Sequence, residues 1–332
     1  MWRILSGCFM GWSLGANNSA NVFGTAVASG LVRYAVAIWL TAIFVVAGAV
    51  LEGAKCMGTY GALAALSADA AFLVTLATAC TVTFLTHAAI PASTSQAVVG
   101  ALLGWAALHG TPDFTKLYKI VTCWVLTPVG GIVGGWLLFR ILQEVIEKHV
   151  PSLVARNRFY LLGVLVTGCY SAYCLGANNV ANVTGVYVAA GLLDAPAAAL
   201  VGGLSIALGV LTYSRKIMMA VGKGIVPLDP GSALAAVLAE ALTLHVFTQI
   251  GVPVSSSQAI VGAVIGVGLV RDRKTVNARM VGRIAVGWVL TPVIAAAVLL
   301  ALHLLWKGIP LWVDSMCSGS SISPTPVPYL WQ

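Results

Sequence analysis

The sequence predicts an all-α polytopic membrane protein: two inverted-topology repeats with broken helices and Pro-Ser helical hairpins, about 10–12 membrane segments in all. Three observations predict it. First, 59% of the 332 residues are hydrophobic and only 8% are charged, whereas a soluble globule carries about 25% charged residues. Second, the apolar runs are about 18 to 25 residues long, enough for a helix to cross a hydrocarbon core of roughly 30 Å, and no ten-residue alternation suggests a β-barrel. Third, Gly15-Ala16-Asn17-Asn18-Ser19-Ala20-Asn21 returns as Gly176-Ala177-Asn178-Asn179-Val180-Ala181-Asn182, with six of seven letters kept.

Two more landmarks repeat in the same order. Pro91 to Gly100 returns as Pro253 to Gly262, and Trp124 to Pro128 as Trp288 to Pro292. The offsets are 161 residues from Asn17 to Asn178, 162 from Gln96 to Gln258 and 164 from Pro128 to Pro292. A period this long means duplication of a half-domain, not a solenoid of short units.

Ile4 to about Gly30 is apolar but interrupted by the carboxamides of Asn17, Asn18 and Asn21, and reads as a broken helix. Val32 to Leu51 is a span closed by Glu52 and Lys55, three residues apart and expected to pair locally. Gly61 to His87 contains Asp69 and leads into the first Pro-Ser motif, whose continuation Ala97 to Leu108 is apolar again. After a loop marked by Asp113, Lys116 and Lys119 comes Val121 to Leu142, with Pro128 inside. The polar stretch from Arg140 to Arg158 separates the copies. The boundaries are therefore 1–143 for the first repeat, 144–157 for the linker, 158–308 for the second repeat and 309–332 for a tail.

The second repeat follows the same course: Phe159 to Gly191 broken at Asn178-Asn179, then Ala195 to Tyr213, a loop with Arg215, Lys216 and Lys223, Ala233 to Ile250, Pro253 to Val270, and Ile284 to Trp306. The tail, with its Ser-Gly-Ser-Ser run and closing prolines, reads as poorly ordered.

The net charge of +8 lies mostly in connecting segments, so it reports topology and gives no reason to expect nucleic acid. Arg271, Arg273, Lys274, Arg279 and Arg283 make a strongly basic loop whose first-repeat counterpart has only Lys116 and Lys119. The second-repeat loops are therefore placed in the cytoplasm and their counterparts outside, which inverts the repeats. Five crossings per half put both termini outside the cell's inner (cytoplasmic) membrane, with lipid around the bundle. Hydropathy leaves open whether the Pro-Ser motifs span or are re-entrant. The seven cysteines have no CxxC or metal-ligand spacing, so neither disulfides nor zinc are indicated, and no cofactor is expected.

Inverted repeats with interrupted helices point to a secondary transporter whose site lies where the interruptions meet. A helix start offers free N–H groups to an anion, and each Pro-x-Ser-x-Ser-Gln run adds hydroxyls. The substrate candidates are therefore Ser93, Thr94, Ser95, Gln96, Ser255, Ser256, Ser257 and Gln258, with Asn17 and Asn178. The cation or coupling candidates are Asn18, Asn21, Asn179, Asn182 and Glu240. Polar residues in membrane helices also serve as interhelical glue, but a duplicated set at helix breaks favours a site. Glu240, inside an apolar span, is the first candidate for H⁺ coupling, and Asp69 the second. His87 and His245 can line a pathway or serve structure. HExxH, GxSxG and paired carboxylates are all missing, so the chain does not read as an enzyme. An anion channel would show a continuous polar stripe, whereas the polarity here is concentrated at two symmetric places.

These motifs resemble the inorganic phosphate transporter (PiT) family of cation-coupled symporters, across both repeats. That family carries two Gly-Ala-Asn-Asp-x-Ala-Asn signatures and two Pro-Val-Ser-Thr-Thr-His/Gln-Ala-x-Val-Gly motifs. The resemblance implies a homodimeric inverted-repeat bundle that holds phosphate between the Pro-Ser hairpins and the Asn-rich segments, with Na⁺ or H⁺ as driving ion. One departure stands out: Asn18 and Asn179 occupy the positions of the family's aspartates. A hard cation is held better by carboxylate than by amide oxygen, so Na⁺ at Asn18 and Asn179 would need backbone oxygens or the substrate itself. A neutral cavity suits phosphate and, as the alternative, a sulfate-type dianion.

Overall fold

The computed structural model describes residues 2–61, 63, 66–88, 92–110, 112–150, 152–215, 218–219, 229–271 and 278–318. Pro91, Lys216, Lys223, Arg273, Lys274 and the tail from 319 lie outside them. The described chain is helical: α1 Leu5–Ala28, α2 Tyr34–Glu52, α3 Ala54–Gly61, α4 Ala68–His87, α5 Thr94–His109, α6 Phe114–His149, α7 Leu153–Ala189, α8 Ala195–Tyr213, α9 Pro230–Ile250, α10 Ser256–Arg271 and α11 Ala278–Ser318. The starts are written in the sequence. Asp194 accepts from Ala197 N at 3.0 Å and Asp229 from Ser232 N at 2.8 Å, each followed by a proline in the first turn, where a missing N–H costs nothing. Gly30 and Gly191, one repeat apart, follow α1 and α7 with positive φ of 75° and 69°, a conformation that stops a helix and favours glycine.

The expected breaks at the asparagine motifs are corrected by the structure, because α1 and α7 run through them without interruption. The carboxamides of Asn18, Asn178, Asn179 and Asn182 are buried and those of Asn17 and Asn21 partly so, and most find partners on neighbouring elements, so helical hydrogen bonding need not be given up. Among the described residues, seven helices are long and apolar enough to cross a membrane, fewer than the expected 10–12 segments. The shortfall falls on three of the four helices that carry the asparagine and Pro-Ser motifs, α7 being counted. α1 is diluted by its asparagines, and α5 and α10 are 16 residues each, short of the roughly 20 that a full crossing needs.

The halves are interleaved. α1 packs on α8 and α2 on α7, so close that a β-carbon at Gly15 would strike the Ile206 carbonyl and one at Gly176 the Val45 carbonyl. Gly48 on Tyr173 and Gly209 on Trp12 repeat that exchange. α5 lies against α11 and α10 against α6, with Gly100 on Pro292 and Gly262 on Pro128. α4 also packs on α5, and α9 on α10.

Tyr187 locks α7 to the start of the chain. Its hydroxyl lies 2.8 Å from Ser6 Oγ and 2.7 Å from Thr75 Oγ1, and it accepts from Gly7 N at 2.9 Å. Tyr187→Phe strands a buried N–H, at about 1–3 kcal/mol. A thermal melt in detergent should fall by several degrees.

Candidate oxyanion site

The two Pro-Ser motifs open α5 and α10 with the same chemistry. Ser93 has an extended backbone (φ −96°, ψ 108°) and its Oγ accepts from Gln96 N at 3.4 Å. Ser255 Oγ accepts from Gln258 N at 3.3 Å. The first N–H groups of each helix lack intrahelical partners and carry the positive end of its dipole. Ser257 Oγ donates to the Ala92 carbonyl at 3.0 Å, which brings the two helix starts together. Ser93 to Gln96 and Ser255 to Gln258 are all buried.

α1 brings Asn21 and α7 brings Asn178 to this junction. Asn17 Nδ2 donates to Thr86 Oγ1, and Asn178 Nδ2 donates to Thr248 Oγ1 at 3.0 Å, the same pair one repeat later. Asn178 Oδ1 also accepts from Val254 N at 2.9 Å, which fixes the segment leading into α10. Asn21 Nδ2 reaches Ser256 Oγ at 3.4 Å. In the second copy Tyr60 OH donates to Asn182 Oδ1, and Asn182 Nδ2 donates to Asn179 Oδ1 at 2.9 Å.

What remains unsatisfied is itself symmetric. Asn18 and Asn179 are fully buried; neither side-chain atom of Asn18 meets a partner, nor does Asn179 Nδ2. Gln96 Oε1 and Gln258 Oε1 are also buried and unpartnered. Each such group costs about 1–3 kcal/mol, so a cluster at equivalent positions of two repeats marks a place for a ligand. α5 and α11 run in parallel register, Gly100 on Pro292 and Gly104 on Ala296, which puts Trp288 level with Gln96. The equivalent contacts of Gly262 and Gly266 put Trp124 level with Gln258. Both indole Nε1 atoms are buried without a partner. The repeated tryptophan was visible in the sequence, but its place beside the glutamines follows from helix register.

Glu240 is not at this junction. It is fully buried on α9 and accepts from Ser171 Oγ on α7 at 3.3 Å. Ser171 lies two turns before Asn178, about 10 Å along the helix. Asp69 pairs with Arg3 at 2.6 Å at a partly exposed site, and His87 is exposed at the end of α4. Lys55 and Glu52 form the expected local pair at 3.0 Å, but Glu52 also accepts from Tyr173 OH at 2.8 Å and Gln249 Nε2 at 2.7 Å, and His245 Nε2 lies 3.4 Å away. Sequence reasoning missed Tyr60, Thr86, Thr248 and this cluster. The two threonines share the 162-residue offset of the Pro-Ser motifs, a signal that was available.

A model of the phosphate transporter family matches residues 14–299 of the chain. The inferred phosphate permease of Methanocaldococcus jannaschii is 29% identical, over 85% of this chain and 89% of its own. That of Pyrococcus furiosus is 26% identical, over 87% and 91%. The sulfate permease CysP of Bacillus subtilis is 27% identical, over 89% and 84%. Among solved structures, the sodium-dependent phosphate transporter shares the fold, with a TM-score of 0.81 at 22% identity over 92% of this chain and 98% of that one.

Proposed function

Because the chain belongs to the phosphate transporter family, we propose that it is a secondary active transporter carrying inorganic phosphate across the cytoplasmic membrane by alternating access, driven by a cation. The observation that carries this reading is the meeting of the α5 and α10 starts, each of which holds a buried glutamine with an unpartnered Oε1. Phosphate oxygens accept from the helix-start N–H groups and the serine hydroxyls, while Asn17 and Asn178 hold the hairpin tips in place. The Gly–carbonyl contacts tie each short helix to the long helix of the other copy, so the units that rock around the anion combine helices of both copies. The reading includes inverted topology, re-entrant hairpins, external termini and a homodimer. Impermeant labelling of single cysteines tests the topology, and crosslinking in native membranes tests the dimer.

The likeness to a sulfate permease makes sulfate the second reading. The two glutamine acceptors favour phosphate: a P–OH group donates to Gln96 Oε1 or Gln258 Oε1, whereas sulfate at neutral pH has no proton to give. A site built around such a hydrogen bond rejects an analogue that cannot make it. Labelled phosphate should enter proteoliposomes saturably, with excess sulfate competing weakly. Sulfate uptake without phosphate uptake would falsify the assignment.

With Asn18 and Asn179 neutral, Na⁺ is held only by amide and backbone oxygens. Asn18→Asp combined with Asn179→Asp is expected to make uptake at least about tenfold more sensitive to Na⁺, read from the Na⁺ concentration at half-maximal rate.

A further inference from the structure

We propose that Glu240 is the binding site of a coupling proton, loaded from the end of the bundle where His245 and Tyr170 lie. This rests on the transport reading above and names what drives it. Glu240 Oε1 meets no hydrogen-bond partner, and the carboxylate forms no ion pair with a described Lys, Arg or His. A charge placed so deep needs cancelling, and an uncancelled carboxylate inside a membrane bundle is a functional group by default.

A chain of polar groups leads toward it. Glu52, Lys55 and Gln249 form a charged cluster with Lys55 and Gln249 exposed; such a cluster belongs against water, not lipid. His245 Nε2 lies 3.4 Å from Glu52 Oε2, and His245 Nδ1 lies 2.7 Å from Tyr170 OH. Tyr170 is followed on α7 by Ser171, whose Oγ donates to Glu240 Oε2 at 3.3 Å, and by Cys174 one turn on. Imidazole and phenol each accept one proton while giving up another. A proton accepted at His245 Nε2 is matched by one passed from Nδ1 to Tyr170 OH, and Tyr170 gives up its own toward Glu240, whose Oε1 has no partner.

The remaining neighbours carry no competing charge. α6 meets this part of α9 through Gly130 and Gly134 against Thr243 and Ala239. On α10 the basic group is Arg271, which pairs with Asp229 at the far end of α9. α3 contributes Lys55 and Cys56, and α7 contributes Tyr173, which binds Glu52.

The path exists in one copy only. At the repeat offsets, Tyr170, Cys174, Glu240, His245 and Glu52 become Phe9, Ser13, Thr78, Thr83 and Tyr213. Ser13 and Thr83 bond each other at 2.9 Å, and Thr78 bonds its own helix. The anion site is doubled; the proton site is single.

The test uses the full chain in proteoliposomes without Na⁺, reading labelled-phosphate accumulation under an acid-outside gradient and phosphate exchange at equal pH. Wild type should accumulate phosphate. Glu240→Gln should lose accumulation at least tenfold while exchange remains measurable. Tyr170→Phe, which removes only the relay hydroxyl, should slow accumulation about fivefold, and it decides the matter if Glu240→Gln does not fold. Accumulation by both variants at the wild-type rate, or wild-type accumulation that follows Na⁺ and ignores pH, overturns the proposal. If wild type exchanges neither phosphate nor sulfate, the transport reading itself fails, and this proposal with it.

Discussion

Asn178→Ala should cut phosphate accumulation by about ten- to a hundredfold while the protein still elutes as a folded species. The side chain has two duties at one place. Its Oδ1 accepts from Val254 N at 2.9 Å, and its Nδ2 donates to Thr248 Oγ1 at 3.0 Å. Alanine leaves a backbone N–H buried without a partner, at about 1–3 kcal/mol, and the strain falls on the segment that orients Ser255 to Gln258. At 1.4 kcal/mol per tenfold, that is the size of loss expected if the strained tip must be straightened each time the anion binds. Thr248→Val removes only one of the two bonds and should cost less. The ratio of transport loss to melting-temperature loss checks the argument: a purely structural role predicts that the two variants fall on one line.

Gly176→Val should prevent recovery of monodisperse protein, and Gly15→Val should do the same. In each case the new β-carbon lands on a backbone carbonyl, that of Val45 or of Ile206. A side chain can rotate away from an intruder, but a helix backbone can move only by carrying its neighbours with it. Overpacking usually costs about 1–3 kcal/mol, and a rigid backbone obstacle sets the top of that range as the floor, even for alanine. Gly58→Ala is the control, since a β-carbon there meets nothing within 4 Å. Size-exclusion profiles of the three variants read the difference directly.

The candidate site was legible as a candidate because it is written twice. Asn17 and Asn178, or Gln96 and Gln258, need no structure to be recognised as equivalent, and the contacts Asn17–Thr86 and Asn178–Thr248 obey the same offsets. The helix breaks were misread for a physical reason. Hydropathy weighs an asparagine against lipid, whereas Asn17, Asn178 and Asn182 face other helices and meet Thr86, Thr248 and Tyr60 there. The span count suffered from the same cause: the polar or short helices α1, α5 and α10 fail a lipid test because they are not built to face lipid. Glu52 shows where local reading stops. Lys55 is three residues away and was expected, but Gln249 is 197 residues away in the chain, and no spacing rule reaches that far.

The exchange of partners between the halves also has a temporal side. Gly15 closes on Ile206, which lies 191 residues later in the chain. At a synthesis rate of roughly 5–20 residues per second, α1 waits about 10 to 40 s for its mate. During that interval Asn17 can meet Thr86 on α4, but Asn21 still lacks Ser256 and the face that will meet α8 stays uncovered. The newborn chain therefore passes through a stage in which an asparagine-bearing helix depends on water, the insertion machinery or a chaperone. The asparagines proposed to build the transport site are what make this chain vulnerable while it is being made.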